Sequence, residues 1–174
     1  MVVKKAVFGL FSLLLSSRLL AADGAIPAEN QDQKLKASIV DFDDKAKILL
    51  AALQAGTFDA AKDLFFPESA FVLLKAIAKP LDYYHQLTRW YQIDFEREAA
   101  RFKDRGPLQF KSIKGGSCVW KAANTEANKI PYWSCYRRKI EVSVGDKIET
   151  IEVRAMINWG QAWYITHLGP IPKS

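Results

Sequence analysis

The chain has 174 residues, 49 % of them apolar, and 25 Lys+Arg stand against 19 Asp+Glu for a formal charge of +6. That length is one domain, and the apolar share is enough for a full core. Without Lys4, Lys5 and Arg18 in the first 22 positions the balance is 22 against 19, or +3, and no RNA-binding motif accompanies it, so nucleic acid is excluded as the expected partner.

Residues 1 to 22 read as a secretory signal peptide. Lys4 and Lys5 form a basic start, Ala6 to Leu15 is an apolar run too short to span a bilayer, and Ala21 and Ala22 offer small residues for cleavage. Leu20 and Arg18 fit that pattern less well, and an uncleaved membrane anchor is the competing reading. No cysteine follows the run, so a bacterial lipoprotein anchor is excluded. The expected location is periplasmic or secreted, with no stable membrane span after processing.

Residues 23 to 35 are polar and read as a loose leader to a single domain over residues 36 to 174. A first helix is expected from about Lys36 to Ala55, its stripe made by Phe42, Ala46, Leu49, Leu50 and Leu53. Gly56 stops it, and Thr57 is placed to cap a second, shorter helix, Phe58 to Phe66, which Pro67 breaks. Residues 68 to 78 fit a short strand or a helical turn equally. Pro80 suits the first turn of a long helix to Lys103, with Tyr84, Leu87, Tyr91, Phe95 and Phe102 on its apolar side. Glu96, Arg97 and Arg101 lie mostly away from that side. Gly106 and Pro107 end the helix, and a strand, Leu108 to Lys114, leads into the turn Gly115-Gly116.

Ser117 to Leu168 reads as three consecutive antiparallel strands. Val144-Gly145-Asp146-Lys147 and Trp159-Gly160-Gln161-Ala162 each supply a two-residue hairpin loop with Gly first. These turns set Ile140 opposite Ile151, Tyr136 opposite Ala155, Met156 opposite Ile165 and Arg154 opposite His167. Placing Cys118 opposite Cys135 also sets Trp120 opposite Trp133, the pattern of a cross-strand disulfide flanked by an aromatic pair. Two cysteines in an exported chain are most simply one bridge, and no CxxC spacing is present for a metal. Helices first and then a four-stranded antiparallel sheet make an α+β fold.

Alternation gives the sheet two faces. One carries Val119, Tyr136, Ile140, Val142, Ile151, Val153, Ala155, Ile157, Tyr164 and Leu168, and the helices are expected to cover it. The other carries Cys118, Trp120, Trp133, Cys135, Arg137, Lys139, Glu152, Arg154, Met156, Asn158, Trp163, Ile165 and His167. Its tryptophans fit a flat ligand or glycan, or, more in keeping with a large apolar patch, a partner surface.

The layout over about residues 36 to 170 resembles the NTF2-like (cystatin-like cone) superfamily, which includes SnoaL-type and ketosteroid-isomerase-type domains. The stretch DAAKDLFFPESAFV resembles that family's helix and short-strand entry, and NWGQAWYITHL its final hairpin. The resemblance implies N-terminal helices packed on a bent sheet, often with a pocket between them, and in some members a dimer on the outer sheet face. Two functions follow as expectations. The first is an exported non-catalytic binding or assembly domain of the bacterial envelope. It would use the pocket or the aromatic face, with Trp120, Trp133, Arg154, Met156, Trp163 and His167 as binding residues and a homodimer, an envelope protein or a small ligand as partner. The second is an isomerase- or dehydratase-type enzyme with its base on the long helix, at Asp82, His85 or Asp94 beside Tyr91. Asp82 and His85, three apart, fit an ordinary surface pair as well. Neither reading implies a cofactor or a metal.

Overall fold

The computed structural model describes residues 25–35 and 42–169. The expectations for residues 1 to 22 and for the helix start at 36–41 lie outside the described residues. Helix α1 (Phe42–Ala55) buries the expected stripe, and Gly56, at a φ of 65°, ends it in the left-handed conformation that glycine adopts without strain.

The second helix differs from expectation. Phe58–Leu64 is a 3-10 segment, and the Thr57 side chain makes no cap bond to it. The chain has a competing use for its end. Phe65 bridges Ile165 in parallel, and the Phe66 N–H donates to the Ile165 carbonyl (3.1 Å), so the two phenylalanines leave the helix to lie against the sheet edge. The ambiguous stretch resolves as helix α2 (Glu68–Leu74), and the long helix α3 (Pro80–Phe102) begins on Pro80 as expected.

The fold is α+β. Five strands form one antiparallel sheet: β1 (Leu108–Lys114), β2 (Ser117–Lys121), β3 (Tyr132–Val144), β4 (Lys147–Trp159) and β5 (Ala162–His167). The expected count of four is corrected to five, although the sheet is four strands wide. Both β1 and β2 pair with β3 along the same edge, at Lys114↔Lys139 and Ser117↔Tyr136, so they form one edge strand kinked at Gly115-Gly116. Gly116 has a φ of 76°, and a Cβ there would lie 2.4 Å from the Tyr136 carbonyl oxygen, so only glycine fits. Arg137, across the kink, is itself left-handed at 54°.

The expected registers Cys118↔Cys135, Trp120↔Trp133, Ile140↔Ile151, Tyr136↔Ala155 and Met156↔Ile165 all occur, and Cys118 and Cys135 are joined by a disulfide. One does not. His167 pairs with Ala155 rather than Arg154, because β5 carries an extra residue, Thr166, between Ile165 and His167. A bulge of this kind moves every later side chain to the opposite face.

The face assignment needs a second correction. Ile140, Val142, Ile151 and Val153 are fully buried as expected, but Val119 on the same face is 41 % exposed. The face assigned outward is buried at one end: Cys135, Met156, Asn158, Trp163 and Ile165 all have 0 % exposure. Trp120 and Trp133 are half-buried, and Arg137, Lys139 and Glu152 remain in water. The leader is part of the reason. A 3-10 turn, Ala28–Asn30, seats Asn30 on the end of the sheet, where its side chain donates to the Pro131 carbonyl (3.1 Å) and accepts from the Gly160 N–H (2.8 Å). Asn158 completes this polar knot by accepting from the Trp133 N–H (2.7 Å) and donating to the Gly160 carbonyl (2.9 Å). At least at these residues the leader is docked, not loose.

Candidate binding cavity

A cavity of about 180 Å³ lies between α2, the start of α3 and the sheet. The sheet contributes Tyr132, Ser134 and Tyr136 from β3, Ala155 and Ile157 from β4, and Thr166 and His167 from β5. The helices contribute Phe71, Leu74, Tyr83 and Leu87, with Lys75 just past the end of α2. Alternation brings the three β3 residues in at every second position, and their pairing with Ile157 and Ala155 puts all five on one face. The small side chains Ser134 and Ala155 leave the space. Phe71 and the buried Leu87 supply the opposite wall.

One buried amide organises the polar end. Asn128 is fully buried; its carbonyl oxygen accepts from Lys75 Nζ (2.7 Å) and its amide donates to Tyr132 Oη (3.1 Å). Backbone bonds hold the two segments together: Ala76 donates to the Ala127 carbonyl (2.8 Å) and Lys129 to the Leu74 carbonyl (2.7 Å). Burial lowers the pKa of Lys75, with Glu126 opposing, and burial pushes the Tyr132 phenol up to about 12, with the Asn128 bond opposing. Both groups are donors at neutral pH.

His167 forms the other polar corner. The Thr166 hydroxyl donates to the Ala155 carbonyl (3.3 Å) and lies 3.4 Å from His167 Nδ1. Burial holds the His167 pKa below the usual histidine range; the nearby Asp94 works against this and Arg154 with it. The imidazole is therefore neutral at pH 7.

The long-helix candidates lie elsewhere. Asp94 is buried, but one carboxylate oxygen accepts from the Gly169 N–H (2.9 Å) and the other pairs with Arg97 (2.8 Å), which makes it a clamp on the end of β5. Asp82 and His85 are exposed, and Asp82 sits 3.7 Å from Lys79 rather than pairing with His85. Tyr91 is buried with its hydroxyl donating to the Ala61 carbonyl (3.0 Å). None of the four lines the cavity.

Comparison with family models, with curated proteins and with solved structures finds no match to this chain.

Of the residues singled out for binding, His167 alone lines the cavity. Trp163 and Met156 are core, Trp120 and Trp133 pack edge to face with ring centroids 5.6 Å apart, and Arg154 reaches Glu152. Lys75, Asn128, Tyr132 and Ser134 went unnoticed in the sequence. The alternation of Tyr132, Ser134 and Tyr136 was a usable signal, but nothing local marks Lys75 or Asn128. Among the described residues no group of acidic, histidine or cysteine side chains is placed to hold a metal ion, and no helix is long and apolar enough to cross a membrane.

Proposed function

We propose that this is an exported, non-catalytic ligand-binding domain of the NTF2-like cone type, and that it works through the cavity between α2, α3 and the sheet. The observation that carries the reading is the composition of that space. Phe71, Leu74, Leu87, Ala155 and Ile157 give it apolar walls, and Lys75, Tyr132 and Ser134 give it a polar end. Few convergent polar groups in an apolar concavity is the usual make-up of a small-molecule site. Its volume is below the roughly 300–1,000 Å³ of drug-sized sites and near the roughly 150 Å³ of a cavity that takes benzene, so the ligand is one ring or a short chain. The disulfide supports an oxidising compartment, and with it export.

The partner-surface reading loses Met156 and Trp163, which are buried. The enzyme reading loses its base on the long helix, since Asp94 is fully engaged and Asp82 and His85 are in water. Titration of the labelled protein with benzyl alcohol tests the proposal by NMR. Shifts are expected at the Leu87 and Ile157 methyl groups and not at Trp120 or Trp133. Shifts confined to the two tryptophans would return the function to the sheet face.

A further inference from the structure

Lys75 is the unusual member of the cavity wall. It is half-buried, yet no carboxylate of the described residues lies within ion-pairing distance of it. The nearest acidic influence, Glu126, is itself held by Lys121 at 2.5 Å. No Asp or Glu lines the cavity. A desolvated ammonium without a counter-charge is costly, and a bound anion removes that cost.

The hydrogen bonds point the same way. Asn128 uses one Lys75 proton and leaves the ammonium two more to donate. Because the Tyr132 oxygen accepts from the Asn128 amide, the phenol proton is directed elsewhere, and no acceptor for it occurs among the described residues. The buried Ser134 hydroxyl lines the same space. Asn128 thus presents a cationic and a neutral donor side by side, the arrangement that two carboxylate oxygens require.

We propose that the cavity selects a small monocarboxylate, with its ring or short chain among Phe71, Leu74, Leu87 and Ile157 and its carboxylate on Lys75 and Tyr132. This rests on the cavity being the ligand site, and the test separates the two. Calorimetric or NMR titrations at pH 7 compare benzoate with benzyl alcohol, probes of one size that differ in charge. Wild-type protein should bind benzoate at least roughly tenfold more tightly, as expected for hydrogen bonds to a charged group. Lys75→Met should bring the two affinities together, through a loss of benzoate affinity that exceeds any change for benzyl alcohol. Tyr132→Phe, which keeps the ring, should reduce the benzoate preference in part, and it serves alone if Lys75→Met does not fold. Equal binding of both probes by wild type, or a preference that survives Lys75→Met or, where that variant fails to fold, Tyr132→Phe, overturns the carboxylate assignment and leaves the cavity reading standing. Binding of neither probe overturns both.

Discussion

By strand alternation, Ile140, Val142, Ile151 and Val153 share a sheet face with Tyr132, Ser134, Ala155 and Ile157, separated from them along β3 by the left-handed Arg137. The first set is wholly aliphatic and fully buried, and none of it lines the cavity. The second mixes large aromatic with very small side chains and encloses the cavity. The backbone ladder is continuous through both, so what separates the packed half from the half that lines the cavity is side-chain volume. A face of uniform β-branched residues interdigitates with the helices, whereas Ser134 and Ala155 fall short of them.

The comparison is broken most forcefully in the packed half. Ile151→Ala should cost about 2–5 kcal/mol in chemical denaturation of the oxidised protein, since nothing there can collapse onto the lost side chain. A cost comparable to that of a surface substitution would mean that the packed half is no better filled than the cavity. Next comes the covalent link beside the cavity. Replacing Cys118 and Cys135 together by Ala should lower stability by roughly 3 kcal/mol, the usual entropic worth of closing a loop of this size.

In the open half the sign reverses. Ala155→Leu extends a side chain into the cavity, so stability should hold or rise by about 0.5–2 kcal/mol, while benzyl alcohol binding disappears from the NMR titration. Loss of stability here would show that the cavity is narrower at Ala155 than its volume implies. The smallest effect concerns pH. The folded-state pKa of His167 lies below the unfolded value of about 6.5, so between the two the unfolded chain binds the extra proton. Its contribution is complete above about 6.5 and is lost as the pH falls towards the folded value. His167→Gln should therefore flatten the dependence of the denaturation midpoint on pH between 7.5 and 5.

Much of the ladder was legible because its turns are short and each begins with glycine; once Gly145 and Gly160 are placed, pairing follows by counting. His167 was misplaced because a bulge leaves no mark in sequence. Thr166 is as good a strand residue as its neighbours, and only the pairing shows it to be the extra one. Trp163 and Met156 were assigned to an outer surface because alternation distinguishes two faces without saying whether the second is covered. Asn30, more than a hundred positions away, helps to cover it. The cavity was illegible for a related reason. A void is defined by what fails to meet, here Ser134 and Ala155 against Leu87 and Phe71, and Lys75 enters it only because its end of α2 is tied to Asn128.

The position of the disulfide has a consequence for the order in which the chain folds. Cys118 and Cys135 are 17 residues apart, whereas Leu108 and Val144, at the far end of the same edge, are 36 apart. Once the thiols have joined, the costly closure is over, and each rung from Ser117↔Tyr136 out to Leu108↔Val144 adds as a near neighbour of the last. Oxidation also forbids a shift of one residue between β2 and β3, which would turn Tyr132, Ser134 and Tyr136 away from the cavity. A chain that forms this bond early therefore commits to the wall of its cavity before the helices that complete it have docked.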